Sequence, residues 1–215
     1  MTRFWPLLGL SALFAVLAFA CKGDGGTPKS ETPASSPALA PTPKTYSERP
    51  EVTISADKKY SAVVETTKGK FTIELRPDIA LETVNSFIFL AREGYYNGVT
   101  FHRVIPGFVA QGGDPTGTGN GGPGYTLPAE FSEEPYVRGT VGMARVGNDV
   151  NSGGSQWFIT YNDQYQNVLN GQYTVFGMVV GGMEVVDALT PRDPQNIATP
   201  QPEGDRIIGI EIVEG

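Results

Sequence analysis

From Tyr60 onward the chain is cut into short stretches of β-forming residues by glycine, proline and asparagine, and this punctuation limits its fold more than any other feature. The stretch "YSAVVETTKGKFTIELR" is two Val/Thr/Ile/Phe-rich runs on either side of Lys68-Gly69-Lys70, which predicts a hairpin. "VTFHRVI", "FVAQGG", "GTVGMARV", "SQWFITY", "YTVFGMVV" and "RIIGIEIVE" follow in the same style. Two segments break the pattern. In "DIALETVNSFIFLAREGYYNG", Ile79, Val84, Phe87, Ile88 and Ala91 recur at helical spacing and Gly94 supplies a stop; a second helix is expected from Met183 to Leu189. Many short strands and few helices predict a mainly β domain, a closed antiparallel barrel or a sandwich. Without strand–helix alternation a doubly wound α/β fold is disfavoured.

Within the strand "SQWFITY", period-two alternation puts Ser155, Trp157 and Ile159 on one face and Gln156, Phe158 and Thr160 on the other. Gln156 and Thr160 are polar, so their face should be the one away from the core. Phe158 then sits on a polar-flanked surface, either as the floor of an apolar pocket or as ordinary satellite packing.

The 215 residues carry a net charge of -7 with no cluster of lysine or arginine, which argues against nucleic acid as a partner. One cysteine excludes an intrachain disulfide, and one histidine with one cysteine cannot build a zinc site of the usual kind. Carboxylate sites for calcium or magnesium stay open, although no cluster of acidic ligands is evident. No metal and no cofactor are expected.

The chain begins "MTRFWPLLGLSALFAVLAFAC", with Arg3 ahead of an apolar run from Phe4 to Ala20 that ends in small residues. This is the layout of a secretory signal over residues 1–20, and the run is shorter than the roughly 20 residues a membrane-spanning helix needs. Cys21, after Leu17, Ala18, Phe19 and Ala20, resembles the lipobox cysteine of bacterial lipoproteins, which is acylated and becomes the mature N-terminus. The family usually has leucine three places before the cysteine, where Ala18 stands here. The alternative is a small residue closing a plain signal peptide. Residues 21–50, "CKGDGGTPKSETPASSPALAPTPKTYSERP", are rich in Pro, Ser, Thr and Gly and poor in large apolar side chains, so they are expected to form a disordered tether. Residues 51–215 remain for one folded domain.

The segment "FHRVIPGFVAQGGDPTGTGNGG" holds the only histidine and a glycine run in which Gly117, Gly119 and Gly122 match G-x-G-x-x-G by letter. A dinucleotide site needs a helix to open at that run, whereas Pro123-Gly124 follows it. Together with "GTVGMARV", "GGSQWFI" and "LNGQYTVFGMVVGGMEVVD" in the same order, the segment closely resembles the cyclophilin family of peptidyl-prolyl isomerases over nearly all of residues 58–214. The resemblance implies a closed eight-stranded antiparallel β-barrel capped by two α-helices, with an outside groove for proline-containing peptides.

That chemistry suits this inventory. Rotation about an X-Pro bond meets a barrier of roughly 18–20 kcal/mol because the nitrogen lone pair is delocalised. No bond is made or broken overall, so neither nucleophile nor metal is needed. What helps is a donor for the prolyl nitrogen once its lone pair localises, and an apolar seat for the ring. A guanidinium fits the first role, acting only as the amide twists. An acceleration of about a hundred-thousandfold requires near 7 kcal/mol, more than one hydrogen bond gives, so ring burial and peptide positioning must contribute.

In the family the donor is the arginine of F-H-R, here Arg103; taken alone, Arg103 reads equally as a strand arginine in an ion pair. The resemblance further implies Phe108, Val109, Phe158 and Leu169 around the proline ring, Gln111 orienting Arg103, and Gln156 and Gly119 lining the groove. Ala144 and Arg145 fall on a strand edge that holds the peptide backbone, with Arg145 replacing a common asparagine. His102 is expected to be a hydrogen-bonded packing residue. Tyr173 stands where the best-known members have histidine, and Val168 replaces a tryptophan that helps bind cyclosporin there, so weak cyclosporin inhibition is expected. The whole is expected to be a monomer, exported and lipid-anchored, acting on unfolded exported proteins.

Overall fold

The computed structural model describes residues 43–196 and 198–215. The expected signal, Cys21 and most of the expected tether lie outside these residues. The hairpin is β1 (Tyr60–Thr66) and β2 (Gly69–Leu75), paired antiparallel with Thr66 opposite Gly69. At its turn the Thr66 hydroxyl donates to the Gly69 carbonyl at 2.9 Å and accepts from the Lys68 N–H at 3.1 Å.

Helix α1 (Leu81–Arg92) follows and buries Val84, Phe87, Ile88, Leu90 and Ala91. Ile79 lies just before it. Its start has no cap of its own; the Glu130 carboxylate accepts from the backbone N–H of Glu82 at 3.0 Å and of Thr83 at 2.8 Å. Its end follows from Gly94, whose φ of 65° reverses the chain. Gly94 N–H then bonds to the Ala91 carbonyl and Tyr95 N–H to the Leu90 carbonyl, satisfying the last turn.

The remaining strands are β3 (Arg103–Ile105), β4 (Val109–Gly112), β5 (Thr140–Met143), β6 (Trp157–Thr160), β7 (Val175–Gly181) and β8 (Ile207–Glu214). They form one curled, eight-stranded antiparallel sheet in the order β3-β4-β6-β5-β7-β2-β1-β8. The end strands β3 and β8 do not pair with each other, so the sheet is not closed by a strand ladder. Residues 98–101, leading into β3, instead run beside the start of β8: Gly98 N–H bonds to Ile207 O at 2.7 Å and Phe101 N–H to Asp205 O at 2.9 Å. On β3 itself, Val104 exchanges two backbone hydrogen bonds with Arg192, at 2.7 and 2.9 Å.

Among the described residues there are three helices where two were expected. Beside α1 stand a single turn, α2 (Gln166–Leu169), and α3 (Met183–Asp187), which ends two residues short of the expected Leu189. The core lies between α1, α3 and the inner face of the sheet. Trp157 is fully buried there, with Phe101 at 5.7 Å and Phe87 at 6.0 Å, both edge-on. Packing also begins before Glu51, inside the expected tether: the Tyr46 ring lies 5.1 Å from Phe89 of α1.

Candidate active site

Strand β6 has two apolar faces. Trp157 and Ile159 point to the core; Phe158 points out, as alternation predicted, into a second cluster with Val109, Tyr136, Leu169 and Val175. Thr160 is not the solvent-facing polar residue expected. Its hydroxyl is buried and donates to the Val137 carbonyl at 2.5 Å, because residues 135–137 cover that end of the outer face. Phe158 is 5 % exposed, stacked on Tyr136 at 5.7 Å and met edge-on by Tyr173 at 5.6 Å. Phe108, Ala144 and Tyr173 border the cluster and remain partly exposed. The result is a shallow apolar seat with an aromatic floor.

Arg103 reaches this seat from the edge strand. Its guanidinium lies 5.2 Å from the centre of the Phe108 ring, its Nε is buried without a hydrogen-bond partner, and it makes no ion pair among the described residues. The ion-paired alternative is thereby set aside. Gln111 stands opposite Arg103 in the β3–β4 register; its amide nitrogen donates to Gln156 Oε1 at 3.0 Å, and among the described residues no hydrogen bond joins its carbonyl oxygen to the guanidinium. Gln156 in turn donates to the carbonyls of Gly119 at 3.0 Å and Gly121 at 2.9 Å. The two glutamines thereby tie the glycine loop to the sheet.

Beside the seat runs a groove of about 660 Å³ lined by Gln111, residues 119–126, Ala144, Arg145 and Gln156. Ala144 belongs to both. Ala144 and Arg145 lie just past the end of β5, not within it, although the Ala144 N–H still bonds to the Gln156 carbonyl at 2.9 Å. The Arg145 guanidinium rests 4.7 Å over the Tyr173 ring and donates from Nε to the Gln172 carbonyl at 3.1 Å. Leu169, supplied by α2, is buried against the seat, while Val168 is exposed.

His102 points the other way and is a packing residue, 2 % exposed, whose Nδ1 has no hydrogen-bond partner among the described residues. Burial lowers its pKa from 6.5, against the nearby Asp114 carboxylate.

Asp114 is a residue the sequence reading passed over. Fully buried, it accepts from the Thr116 N–H at 2.7 Å, the Thr116 hydroxyl at 2.8 Å and the Gly119 N–H at 2.5 Å. Burial pushes its carboxyl up, and those bonds outweigh the push and hold it below the usual range. The Asp-Pro-Thr-Gly order was the available signal, since aspartate nucleates such turns on its own backbone. Tyr136 was missed too. It fits only because residue 142 is glycine, where a Cβ would strike the Tyr136 hydroxyl and come within 2.7 Å of Phe158 Cζ.

The family model for cyclophilin-type peptidyl-prolyl cis-trans isomerases matches residues 61–212. A probable peptidyl-prolyl cis-trans isomerase of Brucella suis is 47 % identical over 171 residues, 74 % of this chain and 85 % of its own. The peptidyl-prolyl cis-trans isomerase B of Bacillus subtilis is 49 % identical over 127 residues, 58 % of this chain and 86 % of its own. The crystal structure of a Cryptosporidium parvum cyclophilin-type isomerase superposes with a TM-score of 0.64 at 34 % identity, covering 73 % of this chain and 99 % of that one. A second structure of that protein was determined in the presence of the dipeptide Ala-Pro. An aromatic seat, an arginine beside it and a peptide-sized groove, on a sheet and sequence shared with these proteins, leave one conclusion: the chain belongs to the cyclophilin-type peptidyl-prolyl cis-trans isomerases.

Proposed function

We propose that Arg103 is the donor that assists rotation of an X-Pro bond whose ring sits on Phe108, Val109, Phe158 and Leu169, while the flanking peptide lies along the groove past Gln111, Gly119, Ala144, Arg145, Gln156 and Tyr173. The observation that carries this is the guanidinium over Phe108 with a buried, unpartnered Nε. An unsatisfied buried donor costs about 1–3 kcal/mol, and an incoming peptide can relieve it. A donor already in place at the rim of an apolar seat needs no reorganisation when the prolyl nitrogen becomes a better acceptor.

Arg103→Ala in the full-length chain tests the assignment. NMR exchange on an X-Pro peptide should show turnover falling about a hundredfold or more, the range for losing one preorganised donor. Peptide binding should survive. Unchanged turnover removes Arg103 from the chemistry; a cellular role that survives the loss of turnover favours a peptide-binding module or chaperone.

The wider setting belongs to the same proposal: a monomer, exported by residues 1–20, acylated at Cys21, held on the outer side of a bacterial membrane and acting on exported proteins as they fold. Crossing of the β3–β8 gap by residues 98–101 serves as the seam of a closed barrel. Mass spectrometry of the mature N-terminus checks the acylation. Exposed Val168 and the phenol of Tyr173 underlie an expected weak response to cyclosporin, and nanomolar inhibition of the chain would contradict it.

A further inference from the structure

We infer that Tyr46, at the head of the segment that leads into the domain, is a positioning residue for the peptide groove; the inference rests on the groove assignment above. Residues 43–59 form no strand or helix, yet they are fastened along α1. Asn85, buried in mid-helix, accepts from the Thr53 N–H at 3.0 Å and donates to the Glu51 carbonyl at 3.0 Å. Arg49 pairs with Glu82, and Lys44 reaches the Glu93 carbonyl at the other end of the helix. The segment is thus a strap with partners at both ends of α1.

At Tyr46 the strap meets the groove wall. Its ring sits among Phe89 at 5.1 Å, Tyr125 at 6.4 Å and Tyr95 at 6.5 Å. Its N–H donates to the Pro123 carbonyl at 2.8 Å. That is the sole main-chain hydrogen bond of residues 122–126 among the described residues, and Pro123, Gly124 and Tyr125 all line the groove. Contact is close. Gly124 has φ of 97°, and a Cβ there would come within 2.5 Å of the Tyr46 carbonyl oxygen and 2.6 Å of Thr45 Cγ2.

The near end of the glycine loop is held by Asp114 and Gln156, whereas its far end is held by the strap. Tyr46→Ala keeps the backbone N–H but removes the ring that seats the strap against Phe89, Tyr95 and Tyr125, so the bond to Pro123 is no longer held in place and residues 123–125 retain only the Tyr125–Ser86 hydroxyl contact of 2.8 Å as a firm tie. The wall loosens while Arg103 and the apolar seat stay as they are. Peptide residues that extend beyond the proline should then bind less well, with the rotation step itself unaffected. Loosening one such bond predicts a three- to tenfold effect, about 0.6–1.4 kcal/mol.

The test compares two substrates on the full-length chain: a four-residue X-Pro peptide and a ten-residue peptide extended on the side of the proline that follows the groove. Tyr46→Ala should raise KM for the long peptide about three- to tenfold with kcat unchanged, and leave both constants for the short one. Tyr46→Phe should behave as wild type, because the Tyr46 hydroxyl is buried without a hydrogen-bond partner. Gly124→Ala, which displaces the strap while keeping the ring, should raise KM as well; if Tyr46→Ala does not fold, Tyr46→Leu, which keeps an apolar side chain but removes the ring contacts, decides the matter. Unchanged KM for the long peptide in a folded variant, or an equal loss with both peptides, overturns the inference. Neither result touches Arg103, whose own variant decides the isomerase assignment.

Discussion

Strand β6 separates two apolar regions that share a backbone and differ in cover. On the inner side Trp157 and Ile159 are fully buried under α1 and the inner sheet face. On the outer side Phe158 is nearly as buried, yet its neighbours Phe108 and Tyr173 stay partly exposed, covered only in part, by Tyr165, Arg103 and Arg145. Each side also holds an unpartnered donor, Trp157 Nε1 within and Arg103 Nε at the rim. Only the second belongs to a residue that is itself partly exposed. One alternation thus builds a region that stabilises the fold and a region left incomplete until a peptide arrives.

The comparison breaks most sharply at Trp157. Trp157→Ala should cost about 3–5 kcal/mol in urea unfolding, since a core this filled cannot collapse around the gap. A loss under 1 kcal/mol would mean the inner side is far looser than its packing indicates. Gly142→Ala probes the outer side: overpacking of about 1–3 kcal/mol against Tyr136 and Phe158 should tilt the aromatic floor and raise KM. Equal KM for Gly142→Ala and wild type would detach that floor from substrate.

His102 tests the inner side by pH. Its folded-state pKa lies below 6.5, so the unfolded chain takes up the proton first; the stability it contributes is complete above about 6.5 and is lost as pH falls toward the folded value. As it is the only histidine, denaturant midpoints should decline below about pH 6.5 in the wild type and stay flatter in His102→Gln. Identical profiles would refute this. The smallest effect is expected for Arg145→Ala, with kcat/KM within about twofold, because surface ion and stacking contacts are individually weak. A tenfold drop would move Arg145 from border to binding.

Much of this organisation was legible as letters. Period two separated Trp157 from Phe158, and the helical spacing of Val84, Phe87, Ile88 and Ala91 with Gly94 marked α1 and its stop. What stayed hidden depends on residues far apart in sequence. The Gln111–Gln156 bond spans 45 positions and occupies the Gln111 amide nitrogen. Glu130 caps α1 through the N–H of Glu82, 48 residues earlier in the chain, and no local motif announces it. The edge between tether and domain was drawn at Pro50 from composition, while Tyr46 docks because three rings and a carbonyl await it in the tertiary structure. Composition reports whether a stretch can fold alone, not whether a finished surface will accept it.

The pairing of Val104 with Arg192 has a consequence for the molecule's company. Strand β3 is a sheet margin, and extended chains are the natural recruits of such margins. Here one residue occupies the vacancy, and Pro191 and Pro194 on either side of Arg192 and Asp193 lack the N–H groups that would let the pairing lengthen. An isomerase that meets extended, proline-bearing chains therefore presents them a site to pass through and, along β3, little free edge on which to accumulate.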